Sequence, residues 1–477
     1  MDGDDFQSKT DAFLAWLEDI GVVINPKVAM VDLRSAGKGR GVVAMEDIRE
    51  DEVLFTIPRS AVLNTTTALG PSDISTTPAI LDMPSWLALT AIILAEGQRQ
   101  DSKWAPYLAL LPRDLDSLVF WSDEELKELQ ASTVVHKIGR AAAEDMFSRH
   151  ISPLLHNANS EMCHRVASII MAYAFDIPEI ASQDGPENTE EEDDLVSDDG
   201  EDEKTILSMI PLADMLNADA TRNNARLCCD NEDLEMRSIK MISKGDEILN
   251  DYGQLPQSDL LRRYGYTTDN YAPYDIAELP TQAILSMLAK EMQLNAGGTL
   301  QPLSAEQQER RVELAQREGV YEESYDICHP GPDGPSIPDE ILGFLYLLLL
   351  DEENLAAIES SEAALSSRSK LATTLVGQVL ALILESRVTD YSTTIEDDRA
   401  ILKAGNLTTR HAMAVQVRLG EKLVLDKAAQ EVRSFVGSDR KMRLKQDLPA
   451  EETKPQSSKG KRKFNDDEGG RKKGRSR

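Results

Sequence analysis

Within residues 11–20 (DAFLAWLEDI), Phe13, Leu14, Trp16 and Leu17 recur at helical spacing, so the chain is expected to open on a helix. The rhythm then changes. Residues 27–33, 41–44 and 53–57 are short runs of strand length, the first two flanking the glycine-rich SAGKGRG and the last ended by Pro58. From 64 to 180 the helical period returns. It predicts an amphipathic helix over 86–96, another beginning at Glu124 behind the capping run Ser122-Asp123-Glu124-Glu125, and a buried helix over 165–175 (RVASIIMAYAF). Strand alternation resumes at 234–239 (LEMRSI), and Lys244-Gly245-Asp246 turns the chain into the short segment 247–249. Past Pro273 and Pro280 the remaining patterns are helical, over 282–294, 305–318, 338–357, 362–385, 397–404 and 409–437, with no period-two run evident. The expected fold class is α+β: an N-terminal helix within 1–24, a β-rich unit over 25–270 with a helical insertion at about 64–180, and an all-helical unit over 281–440.

Two stretches fit neither period. Residues 182–204 (SQDGPENTEEEDDLVSDDGEDEK) have almost no apolar side chains and dense negative charge, so they cannot offset the entropy of ordering. They are expected to form a disordered acidic loop, either an electrostatic lure for a basic partner or a tolerated insertion. The tail, 441–477, is expected to be disordered and turns basic, with KGKRK and RKKGR separated by FNDDEGG. That is the pattern of a two-part nuclear localisation signal, or of a solubilising tail. The expected compartment is the nucleus, with the cytoplasm as a second.

Composition narrows the classes. A chain of 477 residues can bury two or three sizeable cores. The longest apolar run, 341–350, is bracketed by acidic residues and falls far short of a membrane span, and the acidic start MDGDDFQSKT lacks an apolar signal core. Neither membrane nor secretion is expected. Cys163, Cys228, Cys229 and Cys328 show no paired C-x-x-C spacing, which suits a reducing compartment and argues against a zinc site. The formal net charge of −32 disfavours nucleic acid as a direct ligand and favours a basic protein partner, unless it serves solubility alone.

Candidate chemistry concentrates in 210–266. Two polar, turn-rich nodes follow buried segments there: Asp214-Met215-Leu216-Asn217-Ala218-Asp219 after the apolar run 209–212, and 245–253 (GDEILNDYG) after the alternating strand. The turn 35–41 offers backbone N–H groups and two cations, Lys38 and Arg40, on either side of Gly39. Alone it is a hairpin turn or a ligand grip, and it matches neither a Walker loop nor a dinucleotide fingerprint. Tyr173, at the end of a buried helix, reads as core from its neighbours alone.

In order along the chain, the GKGRG turn, Trp104-Ala105-Pro106-Tyr107, Asn217-Ala218 and the E-x-x-x-x-Y stretch Glu247–Tyr252 resemble the SET-domain protein lysine methyltransferases, in the subgroup related to the plant Rubisco large-subunit methyltransferase. The resemblance covers about 25–440. It implies a β-rich SET domain with a helical insertion, an all-helical substrate-binding domain after it, and S-adenosylmethionine as cofactor. It implies cofactor contacts from Lys38, Gly39, Arg40, Tyr173, Asn217, Ala218 and Tyr264, with Tyr252 as the catalytic residue. Trp104 and Tyr266 would line the channel for the substrate lysine, although Trp104 and Tyr107 also read as core anchors. The family has His where this chain has Ala218. That His meets the adenine largely through its backbone, so the departure weakens the motif more than the chemistry.

Lysine has a pKa of about 10.4, so its amine must lose a proton before it can attack a methyl group, and an apolar channel disfavours the ammonium. A tyrosine hydroxyl at 252 suits hydrogen bonding to that amine, while Glu247 and Asp251 are expected to fix the loop rather than act as bases. The Asn-Ala variant, the acidic insert and the basic tail look most like the branch of the subgroup that modifies a basic protein of the large ribosomal subunit. A monomer without a nucleic-acid ligand is expected. The competing reading is a catalytically silent SET-fold adaptor that binds a basic protein through its helical domain and acidic loop.

Overall fold

The computed structural model describes residues 2–68, 78–179, 204–230, 232–294, 298–330, 335–360, 365 and 368–436. The expected acidic loop, apart from Lys204, and the expected basic tail lie outside the described residues.

The N-terminal helix runs Asp2–Asp19, starting well before the apolar spacing predicts. Tertiary contacts account for the extra turns. The guanidiniums of Arg34 and Arg40 lie 3.9 and 3.8 Å from the centre of the Phe6 ring. Arg40 also donates to the Phe6 carbonyl (3.1 Å) and to Thr10 Oγ1 (3.0 Å). Four strands follow: β1 (Val23–Ile24), β2 (Val28–Asp32), β3 (Arg40–Ala44) and β4 (Val53–Pro58). Beyond the insertion come β5 (Ala174–Pro178), β6 (Thr205–Met209), β7 (Ala225–Cys229), β8 (Asp233–Ser238) and β9 (Glu247–Ile248). They form three antiparallel sheets in the orders β1-β4-β8-β7, β2-β3-β9 and β5-β6. In β8 the expected alternation is realised, with Leu234, Met236 and Ser238 turned inward.

The insertion is helical, and Ser122 and Glu125 form the expected capping box at the start of helix Asp123–Lys127. The helix expected to be amphipathic, Ser85–Gln98, is instead covered on all sides, with every residue from Leu87 to Leu94 buried. It packs against helix Ser160–Tyr173 and against β6, which leaves it no solvent face. Thr90 is accommodated because its hydroxyl donates to the Trp86 carbonyl (2.7 Å).

After β10 (Ile276–Pro280) the chain is mainly helical, with Thr281–Leu288, Ala305–Arg317, Asp339–Leu349, Glu352–Glu359, Thr374–Val388, Ile395–Ala404 and Thr409–Val432 as its main helices. The single helix expected over 338–357 is two, because Asp351 caps a new start by accepting from the Asn354 N–H (2.9 Å). Strands are also present where none was evident. β11 (Met292–Gln293) pairs with β12 (Thr299–Leu300), and β10 pairs with β13 (Ser324–Cys328), whose Tyr325 and Ile327 point into the core.

One apolar core gathers residues from Phe13 to Ile248, and a second gathers residues from Ala277 to Val432. A third, smaller cluster joins them, with Leu118, Trp121, Leu129 and Val134 of the insertion packed with Leu261, Met413, Ala414 and Val417. Polar contacts reinforce this seam. Arg410 donates to Asp116 and Glu125 (3.0 Å each), and Ser132 donates to the buried Glu421 (2.6 Å).

Candidate active site

The two polar nodes meet because segments 217–219 and 250 run side by side in parallel. Ala218 pairs with Asn250; the Asn250 N–H donates to the Asn217 carbonyl (2.9 Å) and the Asp219 N–H to the Asn250 carbonyl (3.1 Å). Asn224 straps the second segment, accepting from the Leu249 N–H (2.8 Å) and donating to the Glu247 carbonyl (2.9 Å). Asp219 holds the first. Its carboxylate accepts from the N–H groups of Thr221 (3.0 Å) and Arg222 (2.9 Å), from Arg222 Nε (2.8 Å) and from Asn270 Nδ2 (3.0 Å). Burial pushes this carboxyl up, but the Arg222 and Thr221 donors overcome it and bring it down to about 2.

The glycine-rich turn joins both nodes at Glu247. Lys38 donates to one oxygen of Glu247, and Asn217 Nδ2 donates to the other (2.7 Å) and to the Arg40 carbonyl (3.3 Å). Glu247 therefore fixes loops, as expected. A Cβ at Gly41 would lie 2.3 Å from Leu33 Cδ1, 3.1 Å from Glu247 Oε1 and 3.2 Å from Asn217 Nδ2, so the absent side chain lets β3 approach this close. Gly39, by contrast, faces open space. The Arg40 side chain points to the N-terminal helix, and its carbonyl contacts Asn217.

Tyr252 stacks on Tyr264 with ring centres 4.4 Å apart and planes 7° from parallel, and Tyr266 meets Tyr264 edge-on at 6.4 Å. Beside the stack lies a cavity of about 220 Å³, whose lining includes Tyr173, Ala213, Asp214, Asn250, Tyr252 and Tyr264. The Tyr252 hydroxyl sits 3.4 Å from the Leu216 carbonyl. Burial pushes its ionisation well above the ordinary tyrosine value, so the ring is a neutral phenol at physiological pH. Trp104 takes the core alternative. It is buried, meets Trp16 edge-on at 5.9 Å, and is absent from the lining of this cavity.

The pattern along the chain did not single out Asp214 as a site residue. It is 5% exposed, its Oδ2 accepts from the Tyr107 hydroxyl, and its Oδ1 has no hydrogen-bond partner. Burial raises its carboxyl to about 7, although the Tyr107 hydroxyl and the nearby N–H groups of Asp214 and Leu212 pull the other way. Leu212, two residues earlier, has φ 79° and ψ −42°, a conformation that costs a non-glycine residue about 1–3 kcal/mol. A carboxylate placed directly after the apolar run 209–213 was the available signal.

The SET-domain family model matches residues 39–253, from the glycine-rich turn to the residue after Tyr252, and the Rubisco LSMT substrate-binding model matches 302–425. Ribosomal lysine N-methyltransferase 4 of Saccharomyces cerevisiae is 34% identical over 368 residues, covering 73% of each chain. The chain belongs to the SET-domain protein lysine methyltransferases. N-lysine methyltransferase setd6 of Xenopus laevis is a more distant relative, 29% identical over 454 residues, 88% of this chain and 95% of its own. Among solved structures, the SET domain of LSMT bound to lysine and AdoHcy aligns with a TM-score of 0.66 at 21% identity, over 89% of this chain and 91% of that one. That likeness shows the fold. In this SET-domain methyltransferase the turn at 38–40 and Asn217 are tied to Glu247, the Tyr252–Tyr264 stack follows it along the chain, and no feature among the described residues favours the silent-adaptor reading.

Proposed function

We propose that the chain methylates a lysine of a basic protein of the large ribosomal subunit, with S-adenosylmethionine as the methyl donor. The observation that carries this reading is the meeting of three separated segments, 38–41, 214–219 and 247–252, which are tied together at Glu247 and at the Ala218–Asn250 pair, with Asp214, Asn250 and Tyr252 also lining one cavity. The residues fit the cofactor. Gly39 leaves its face of the turn open, Lys38 is held beside it on Glu247, and Asn217 presents polar groups next to them. Tyr173 and Tyr264 line the cavity beside Asn250, whose partner Ala218 offers its backbone. When bound, S-adenosylmethionine supplies a methyl group made electrophilic by its sulfonium.

The chain's own residues then have defined tasks. The stacked rings of Tyr252 and Tyr264 give the cavity an aromatic wall that can hold the amine in line, with Tyr266 edge-on to Tyr264 extending it. The Tyr252 hydroxyl, kept neutral, can donate to or accept from the amine but is unsuited to removing its proton. The name of the yeast relative and the charge of −32 both support a ribosomal protein as substrate. The two basic clusters of the tail support work in the nucleus, where the tail's deletion should shift a tagged protein to the cytoplasm.

The decisive test is incubation of the purified protein with labelled S-adenosylmethionine and ribosomal proteins. Label is expected on lysine of a basic protein. Tyr252→Phe should retain cofactor binding while turnover falls about a hundredfold, the usual cost of one preorganised hydrogen bond. Full turnover by the Phe variant would remove the hydroxyl from the mechanism, and no label from folded wild type would reject the activity.

A further inference from the structure

Tyr252 rests on the ring of Tyr264, and the helix that carries that ring, Gln257–Tyr264, has no side-chain cap from its own N-terminal residue. The first N–H groups of a helix find no partner within it, and Pro256 at the capping position has no side-chain acceptor to offer them. The buried Asp275 supplies the cap from further along the chain. Its Oδ1 accepts from the Gln257 N–H (2.8 Å) and its Oδ2 from Gln257 Nε2 (3.0 Å). We propose that Asp275 is a positioning residue for methyl transfer: held between helix Thr409–Val432 and the start of helix Gln257–Tyr264, it sets the angle at which Tyr264 meets Tyr252. This rests on the lysine methyltransferase reading, and it gives the last long helix of the chain a part in building the active site.

Three observations carry the assignment. Helix Thr409–Val432 approaches so closely that a Cβ at Gly420 would stand 2.1 Å from Asp275 Oδ2 and 2.8 Å from its Cγ, so the carboxylate is backed by that helix and faces Gln257. The same long helix holds the Tyr264 segment at two further points: Leu261 packs with Met413, Ala414 and Val417, and Thr267, next to Tyr266, donates to Gln416. The far end of helix Gln257–Tyr264 is pinned independently. Gly265 ends it at φ 76°, and a Cβ there would lie 2.7 Å from the Ser117 nitrogen and 2.8 Å from the Asp116 carbonyl carbon. With that end fixed, an uncapped start frees tilt. At 1.5 Å per residue the helix is a rod of about 12 Å, so a shift of about 2 Å at its start tilts it by roughly 10°. The Tyr252–Tyr264 planes lie only 7° from parallel, which makes the stack sensitive to a tilt of that size.

Asp275→Ala should lower turnover on ribosomal proteins about tenfold per folded molecule, measured well below the melting temperature, because small misplacements in a site are costly to rate. In a Tyr264→Leu background the same change should cost nothing further, since Asp275 acts through that ring. Asp275→Asn should keep wild-type turnover. Its amide oxygen can accept from the Gln257 N–H, and its Nδ2 can donate to Gln257 Oε1, which is buried without a partner, once the Gln257 amide turns over. A second readout needs neither cofactor nor substrate. In protein whose tyrosine rings carry carbon-13, the signals of Tyr252 and Tyr264, each identified by its loss in the corresponding Phe variant, report the stack directly. Asp275→Ala should move both signals and Asp275→Asn neither. Should Asp275→Ala fail to fold, Gln257→Met, which strips only the side-chain half of the cap, should move the same two signals by less. Ring signals that stay in place in whichever of these two variants folds would make Asp275 structural and overturn the proposal. So would turnover deficits that add in the Tyr264→Leu background, or an Asp275→Asn as impaired as Asp275→Ala. If wild type methylates nothing, the parent reading fails, and the ring signals still decide whether Asp275 sets the stack.

Discussion

Arg40 shows how the side chain and the backbone of one motif residue can face different parts of the molecule. The turn it belongs to reaches Glu247 and Asn217, but its guanidinium is spent on Phe6 and Thr10 of the N-terminal helix. Arg40→Ala is therefore expected to lower stability by about 1–3 kcal/mol through lost charged hydrogen bonds and to leave S-adenosylmethionine affinity nearly unchanged. Thermal unfolding beside calorimetric cofactor titration checks this, and an unchanged melting temperature with weakened binding would return Arg40 to the cofactor. Sequence alone brought out Asn217, Tyr252 and Tyr264 because polar or aromatic residues in turn-rich segments stand out from the periodic chain around them. It did not bring out Asp214 and Tyr107, whose partnership spans 107 positions and leaves no trace in any local period. Trp104 was ambiguous for a related reason: a large aromatic beside a proline fits a core and a channel equally well, and only its contact with Trp16 decides.

At the scale of elements, period predicted what period controls. The alternation in β8 and the capping box at Ser122 are both present where the pattern put them. The pairing of β10 with β13 was hidden because two five-residue strands separated by helices give too few alternations to register. The site depends on a similarly short device, the Asn224 carboxamide that ties the segment before Tyr252 to the start of β7. Asn224→Ala would leave the buried Leu249 N–H without a partner. The expected cost is about 1–3 kcal/mol in stability, with loss of methyl transfer as the Tyr252 loop loosens. Denaturant unfolding and single-turnover assays test the two effects separately. Unchanged turnover in a destabilised variant would show that β9 alone holds the loop.

Across the whole molecule, the seam between the insertion and helix Thr409–Val432 carries a titratable group. Glu421 accepts from Ser132 (2.6 Å) and Tyr391 (2.7 Å), and burial raises its carboxyl to about 7 in spite of those bonds. An unfolded glutamate titrates at about 4.3, so at intermediate pH the folded chain retains a proton that the unfolded chain has released. The contribution is whole below the unfolded value and is lost as pH rises through about 7. Glu421→Gln, which cannot ionise, should gain on wild type in melting temperature from about pH 5 to about pH 8 and then level off. A difference that does not vary with pH would show that Glu421 does not titrate in this range. The same seam has a history in time as well as a place in space. Arg410 reaches back 294 positions to Asp116. A ribosome adding about 5–20 residues per second needs roughly 15–60 s to supply that stretch. Until it does, Leu118, Trp121, Leu129 and Val134 lack the cover that Met413, Ala414 and Val417 later give them. The nascent chain thus carries these four apolar side chains without that cover from before Tyr252 is made until helix Thr409–Val432 has emerged, an interval in which a chaperone can take its place.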